Sequence, residues 1–261
     1  MPTTRHAVVG APCWVSLMAG DLRSAQDFYG AVLGWTFRPT ALGPEFRVAL
    51  AGPSAGGGPV AGIGALAPSL GTAVAWTPYF LVDDADTAAA RVRERSATVA
   101  IGPLAMPTGR ATLAADPDGA VFGLWEGRTL PGWSVGCGSG PARLELRTRD
   151  AFAAAIFYGQ VLVWGSDERE SCEVQYENHE VLVRDGTHTV AALRGGAIGS
   201  APDPQIRPRW HVFFRVADTD AAARAVSAAG GIVVTPPAAA DSGRQATLRD
   251  PDGGLFSVVD G

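Results

Sequence analysis

The chain of 261 residues is 47% hydrophobic and 18% charged, a composition typical of a globular protein long enough for two domains. Its formal net charge of −5 and its pI near 5.4 argue against nucleic-acid binding, which needs a basic surface. No apolar run reaches transmembrane length, the N-terminus lacks a signal peptide's apolar core, and three scattered cysteines give no metal-type spacing. We therefore expect a cytoplasmic protein with no membrane partner.

The first half predicts two strand–helix–strand–strand–strand units. Alternation indicates a strand over 12–18, and Asp21 is placed to cap a helix that ends near Leu33, before Gly34. Strands at 35–38, 46–50 and 60–66 complete the first unit. The second unit has a strand from Pro78, a helix over 87–95, and strands near Thr98, Arg110 and Val121.

The second half repeats this plan after a segment rich in glycine. Residues 127–141 lose periodicity, which predicts a linker between domains at 1–126 and 142–261. Asp150 is placed to cap the third helix, and an Asp185-Gly186 turn joins strands at 180–184 and 189–193. The fourth unit has a strand at 210–216, a helix over 219–229 and a final hairpin.

Two motifs recur in both halves and indicate a tandem duplication. GRATLAADPDGAVFGLW at 109–125 returns as GRQATLRDPDGGLFSVV at 243–259, and FYGAVLGW at 28–35 returns as FYGQVLVW at 157–164. In each longer motif, Asp-Pro-Asp-Gly predicts a tight turn between two strands. The separation from Asp84 to Asp218 equals that from Gly119 to Gly253, since both are 134 residues.

These motifs, in this order, resemble the vicinal oxygen chelate superfamily, which includes glyoxalase I, extradiol dioxygenases and the bleomycin- and fosfomycin-resistance proteins. The resemblance spans nearly the whole chain. It implies an α+β fold of tandem vicinal oxygen chelate domains, in which four βαβββ units form two curved sheets around two cavities. It also implies that a divalent metal, where one is bound, is held by residues on the first and last strands of the units.

The residues at those positions do not form a metal-binding set. In the family, the first-strand ligand stands seven residues before the aspartate that opens the helix, and the carboxylate stands four residues beyond the turn glycine. In this sequence the positions hold Trp14, Thr77, Arg143, His211, Gly123 and Ser257. One histidine in two cavities is too few for a divalent ion, so we expect no metal and no cofactor.

Strand alternation predicts which side chains face the cavities. The predicted cavity-facing residues are Trp14, Ser16, Thr77, Tyr79, Trp125, Arg143, Glu145, His211 and Phe213. The first cavity is then aromatic with a few hydroxyl groups, which suits a flat apolar ligand. Alternatively, its aromatic residues are simply packed as core.

The second cavity is predicted to be polar, and three interpretations stay open. Arg143, Glu145 and His211 could act as a catalytic acid–base set, with Arg143 holding an anion. They could instead be structural, with Glu145 paired to Arg143 or Arg147 and His211 merely hydrogen-bonded. A polar pocket that orients a ligand lies between these two. The acidic segment 172–180 is expected to be a loop or a lid, with Tyr176 as its ligand contact.

The resemblance favours a binding protein over an enzyme. Drug-binding members of the superfamily similarly lack metal and use aromatic walls. Among metal-free two-domain members, the chain looks closest to actinobacterial antibiotic-cluster proteins, which implies an anthracycline-type aromatic polyketide as ligand. We therefore expect an accessory or self-resistance protein, with a pathway enzyme such as an oxygenase as a further partner. The alternative is a metal-independent enzyme that acts on such a ligand by acid–base chemistry.

Overall fold

The structure is a computed structural model that describes residues 8–52, 57–166, 170–177, 180–196, 207–240 and 243–260. The helices are α1 Leu22–Leu33, α2 Ala67–Leu70, α3 Ala85–Glu94, α4 Ala151–Leu162 and α5 Thr219–Ala228. The strands of the first half are β1 Pro12–Met18, β2 Thr36–Thr40, β3 Gly43–Leu50, β4 Pro59–Gly64, β5 Ala75–Leu81, β6 Thr98–Met106, β7 Gly109–Ala115 and β8 Val121–Gly127. Those of the second half are β9 Arg143–Arg147, β10 Glu173–Glu177, β11 Glu180–Asp185, β12 His188–Arg194, β13 Arg209–Arg215, β14 Ile232–Ala240, β15 Gly243–Arg249 and β16 Leu255–Val259.

The sixteen strands form two eight-stranded sheets with the same order. The first is β2-β3-β4-β1-β5-β8-β7-β6 and the second is β10-β11-β12-β9-β13-β16-β15-β14. In each βαβββ unit the first strand runs parallel to the last, as in β1 with β4, and the hairpin strands are antiparallel. The predicted α+β class with two sheets from four βαβββ units is confirmed.

The chain folds into two compact units, each with its own core. Unit 1 comprises Met1–Trp14, Thr77–Gly136 and Leu144–Trp210, and unit 2 comprises Val15–Trp76, Cys137–Arg143 and His211–Gly261. Helices α3 and α4 pack together in unit 1, and α1 and α5 pack together in unit 2. Each unit therefore takes residues from both halves of the sequence, and the boundaries at 126 and 142 stay a prediction.

Aspartate caps begin the four long helices, and the caps at Asp21 and Asp150 were predicted from the sequence. The Asp21 carboxylate accepts a hydrogen bond from the Ser24 N–H at 2.7 Å, and Asp84 accepts one from Thr87 at 2.6 Å. These bonds to the charged form lower the pKa of both carboxyl groups. Asp150 and Asp218 cap α4 and α5 in the same way.

The repeated motifs meet inside unit 1 through a buried carboxylate. Asp116 Oδ1 accepts hydrogen bonds from the backbone N–H groups of Asp118 at 3.0 Å and Ala120 at 2.8 Å, which closes the turn. Its Oδ2 accepts a hydrogen bond from the Tyr158 hydroxyl at 3.0 Å. The oxygen of that hydroxyl in turn accepts a hydrogen bond from Trp210 Nε1–H at 2.9 Å. Burial raises the pKa of Asp116, and burial beside this carboxylate raises the pKa of Tyr158 well above its ordinary value.

Unit 2 contains the same arrangement. Asp250 Oδ1 accepts the N–H groups of Asp252 and Gly254 at 3.0 and 2.7 Å, and Oδ2 accepts the Tyr29 hydroxyl at 2.8 Å. Trp76 Nε1–H donates to Tyr29 at 3.1 Å. Each Tyr–Asp bond therefore ties a helix to an Asp-Pro-Asp-Gly turn from a different βαβββ unit.

The structure corrects two sequence-based expectations. The acidic segment around Tyr176 was expected to be a loop or lid, but residues 173–177 form edge strand β10, which pairs with β11. Val174 and Tyr176 alternate with the polar residues Glu173, Gln175 and Glu177, which is the pattern of a half-exposed strand. The short helix α2 was not predicted, because its four residues are too few to show helical periodicity.

Replacing Val163 with glycine should stabilise the protein by about 1 kcal/mol. Val163 ends α4 with φ +63°, a left-handed conformation that is costly for a β-branched residue, whereas Gly34 occupies the equivalent position after α1 with φ +66°. The reciprocal Gly34→Val should cost about 1–2 kcal/mol. Urea denaturation would measure both changes, and a less stable Val163→Gly protein would contradict the prediction.

Removing the Tyr158 hydroxyl should destabilise the protein by about 1–3 kcal/mol. Tyr158→Phe leaves the buried Asp116 Oδ2 and Trp210 Nε1–H without their partner, and Tyr29→Phe should act similarly at Asp250. Tyr176→Phe is the matched control, since Tyr176 is 59% exposed, and it should change stability little. Equal unfolding midpoints for Tyr158→Phe and Tyr176→Phe would contradict this account.

Candidate functional site on the open faces of the sheets

We call the face of each sheet that points away from its helices the open face. In unit 1, part of this face is apolar and partly exposed: Tyr79, Leu81, Leu113 and Trp125 share it on β5, β7 and β8. On the helix face, by contrast, residues such as Phe80 are fully buried. The partial exposure of the first set leaves an apolar surface that a ligand can cover.

The Tyr79 ring lies over Gly123, which stands at the position of the family's carboxylate. Gly123 is the register partner of Tyr79 on β8, and an ideal Cβ at Gly123 would overlap the Tyr79 ring. The ring therefore fills the space that a side chain at 123 would need. Burial raises the pKa of Tyr79 to about 12, so its hydroxyl is protonated at neutral pH.

Trp14 is packed against a residue that the sequence motifs do not single out. Its ring centroid lies 5.5 Å from that of Trp133, at an interplanar angle of 48°. Trp133 belongs to the glycine-rich segment between the halves but is only 6% exposed. Only the residue type could have indicated in advance that Trp133 is buried, since a tryptophan side chain favours apolar surroundings even in a segment without periodicity.

The other predicted residues of this sheet are placed as follows. Thr77 is buried, and Ser16 is half-buried in unit 2, beside Gly62 of β4. Trp125 keeps part of its ring exposed and donates its Nε1–H to the Arg128 carbonyl at 3.1 Å. This hydrogen bond to the backbone orients the Trp125 ring.

In unit 2, the open face of the second sheet carries a polar group centred on His211. His211 Nε2 lies 2.8 Å from Ser257 Oγ, which is 3.0 Å from Thr247 Oγ1. The His211 ring also meets Phe213 edge-on, with centroids 5.0 Å apart. His211 and Ser257 are fully buried, so this histidine is held within a hydroxyl chain.

Arg143 stacks on the same aromatic ring. Its guanidinium carbon lies 4.0 Å from the centre of the Phe213 ring, and its Nη2–H donates to Gln245 Oε1 at 2.8 Å. Stacking and hydrogen bonding together fix the plane of the guanidinium group. The structure thus brings three predicted residues of unit 2 together, namely Arg143, His211 and Phe213.

Glu145 lies in unit 1 among arginines. It is fully buried, and its carboxylate oxygens are 3.7 Å from both Arg147 Nη2 and Arg194 Nη1. Of the two partners that the structural interpretation offered for Glu145, Arg147 is thus in contact with it, whereas no local pattern pointed to Arg194. Arg194 is brought to this point by the parallel pairing of β12 with β9.

Tyr176 does not join this group. Its ring centroid lies 5.8 Å from that of Phe152 on α4, which places it on the helix face of β10. It was expected to contact a ligand from a lid, but its strand position turns the side chain away from the open face.

Comparison with known proteins identifies the fold family. Residues 12–124 match the Glyoxalase/Bleomycin resistance protein/Dioxygenase superfamily, and residues 143–259 match the Glyoxalase-like domain. The chain belongs to this superfamily. The two matches cover the two sequence repeats, as the duplicated motifs predict.

Several curated proteins are similar in sequence to this chain over nearly its full length. The anthracycline biosynthesis protein DnrV of Streptomyces peucetius is 31% identical, with 96% of this chain and 93% of DnrV covered. DauV of Streptomyces sp. strain C5, also named an anthracycline biosynthesis protein, is 30% identical with the same coverage. CFP32 of Mycobacterium tuberculosis, whose name gives it as a candidate glyoxylase, is 32% identical over 99% of this chain and 98% of its own.

Solved structures share the fold at low sequence identity. The Mn(II)-bound glyoxalase of Novosphingobium aromaticivorans gives a TM-score of 0.59 at 17% identity, over 98% of this chain and 83% of its own. A catechol 2,3-dioxygenase gives 0.57 at 14% identity, over 98% and 89%. These likenesses concern the fold alone.

The residues present do not fit the divalent metal that such relatives imply. The first-strand positions hold an indole, a hydroxyl, a guanidinium and one imidazole, and Gly123 and Ser257 stand at the last-strand positions. Within the segments that the structure describes, no three His, Cys, Asp or Glu residues form a group that could hold a metal ion. Arg143, at one of the first-strand positions, would also repel a cation.

Adding a methyl group at Gly123 tests the placement of Tyr79. Gly123→Ala should destabilise the protein by about 1–3 kcal/mol, because the new Cβ overlaps the ring. In a Tyr79→Ala background the same substitution should cost much less, and a double-mutant cycle in urea would measure the coupling. An equal cost in both backgrounds would show that the ring does not fill this position.

Proposed function

We propose that the protein is a metal-free accessory or self-resistance protein of anthracycline-type aromatic polyketide biosynthesis that binds a planar fused-ring ligand. One observation carries the proposal: the partly exposed apolar surface formed by Tyr79, Leu81, Leu113 and Trp125 on the open face of unit 1. Fused rings bury flat apolar area, which contributes about 25 cal/mol per Å² before association costs. Trp125 and Trp14 are half-buried, and their indole rings would add aromatic contacts to such a ligand.

Two further findings support this proposal. The names of DnrV and DauV place those relatives in anthracycline biosynthesis, and the chain is about 30% identical to them over nearly its full length. The residues at the family's metal positions favour binding over Lewis-acid catalysis, because one imidazole stands among an indole, a hydroxyl and a guanidinium. A pathway enzyme such as an oxygenase would then be the partner that receives or supplies the ligand.

A neutral polycyclic probe tests the binding surface. We expect 1,8-dihydroxyanthraquinone to quench tryptophan fluorescence with a micromolar dissociation constant, and Trp14→Ala and Trp125→Ala each to weaken binding about tenfold. Tyr176→Ala is the matched control, since this exposed aromatic residue lies on the helix face. Prolonged treatment with a chelator should leave the affinity unchanged.

The alternative function would give a different pattern. The chain of hydrogen-bonding groups from His211 through Ser257 to Thr247, beside Arg143, favours metal-independent acid–base catalysis as the second candidate. The apolar surface of unit 1 would not be the site if Trp14→Ala and Trp125→Ala left the affinity unchanged while His211→Asn or Arg143→Met abolished binding. Chelator-resistant conversion of the ligand, abolished by His211→Asn, would then establish an enzyme.

A further inference from the structure

Four charged side chains alternate in sign across the open face of the second sheet within unit 1. Arg147 and Arg194 both contact Glu145 at 3.7 Å, and Arg194 Nε lies 3.0 Å from Glu180 Oε1. Strand pairing places Arg147, Arg194 and Glu180 in one row across β9, β12 and β11. Glu145 stands two residues before Arg147 on β9, and its carboxylate lies between the two guanidinium groups. We call these four residues the charged ladder.

The duplicated half shows that the fold does not require the charged ladder. The first sheet has the same register, so each member of the ladder has an equivalent there. In the order Glu145, Arg147, Arg194, Glu180, the equivalents are Ser16, Met18, Gly64 and Phe46. None of these is charged, and the Phe46 ring lies over Gly64 as ordinary packing.

The charged ladder is also a poor way to stabilise a sheet. Glu145 is fully buried, and removing a carboxylate from water is costly even beside cations. An uncharged set such as the one in the first sheet would fill the same space without this cost, which points to a role in binding.

The two arginines keep part of their surface accessible. The Arg147 side chain is 28% exposed and that of Arg194 is 40% exposed, while Glu145 beneath them is inaccessible. Glu145 therefore positions two guanidinium groups whose remaining N–H donors can meet a ligand. Leu182 lies on the same face in the row of Ala192 and Glu145, and it is half-buried.

We propose that Arg147 and Arg194 form a binding site for the carboxylate of a small organic acid, whose apolar part lies along Leu182. A guanidinium group matches a carboxylate through two parallel N–H donors, and two such groups on neighbouring strands can share one anion. This site is separate from the apolar surface of the proposed function, and it stands whether or not that surface binds a fused-ring ligand.

Calorimetric titration of the full chain with 2-naphthoate tests this site. Wild-type protein should bind 2-naphthoate at least tenfold more tightly than the uncharged 2-naphthamide, and raising the salt concentration should reduce the difference. Arg147→Met, which installs the residue of the first sheet, and Arg194→Leu should each weaken 2-naphthoate binding by at least about tenfold. Arg149→Met is the matched control, because Arg149 is 71% exposed beside Asp118 and loses the same charge.

Several results would overturn the proposal. Equal affinity for the acid and the amide would do so without any variant, as would absence of 2-naphthoate binding to the wild-type protein. An equal loss in Arg149→Met and Arg147→Met would attribute binding to net charge alone. Trp125→Ala distinguishes the two proposals, since it should weaken 1,8-dihydroxyanthraquinone and leave 2-naphthoate unchanged.

Discussion

Beneath each Asp-Pro-Asp-Gly turn, a buried carboxylate accepts hydrogen bonds from the turn's own backbone and from a helix tyrosine. The Tyr158 hydroxyl donates a hydrogen bond to Asp116, and the Tyr29 hydroxyl donates one to Asp250. In both cases a tryptophan indole N–H donates a second hydrogen bond to the tyrosine hydroxyl. A carboxylate at such depth is tolerated because both its oxygens are satisfied. The helices are thereby fixed against the sheets, and the positions of the open-face residues follow.

The same scaffold carries two chemically different open faces. In the first sheet, the unit 1 surface around Tyr79 and Trp125 is apolar, whereas in the second sheet the face bears the charged ladder and the His211 group. Neither difference alters strand order or register. Side chains that point away from the helices are free to diverge, because the core that holds the sheets lies on the other face.

Local patterns predicted most of the fold but only part of the site. Strand alternation and the aspartate caps placed the four units, because these signals are confined to a few neighbouring residues. Contacts between segments far apart in the chain leave no such local pattern in the sequence. Trp133 packs on Trp14 in this way, and the pairing of β12 with β9 brings Arg194 beside Glu145. For the same reason, the sequence could show that Tyr29 belongs to a repeated motif but could not show that Asp250 is its partner.

The pairing of Tyr29 with Asp250 has a consequence for synthesis on the ribosome. The two residues are 221 positions apart, whereas Tyr158 and Asp116 are 42 apart. Unit 1 is complete in sequence once Trp210 has been translated, but unit 2 must wait for its last segment, His211–Gly261. At roughly 5–20 residues per second, Tyr29 and its aromatic neighbours spend about 10–45 s without their carboxylate partner. The earliest-translated helix is thus the longest exposed, and nascent unit 2 is where a chaperone would be needed.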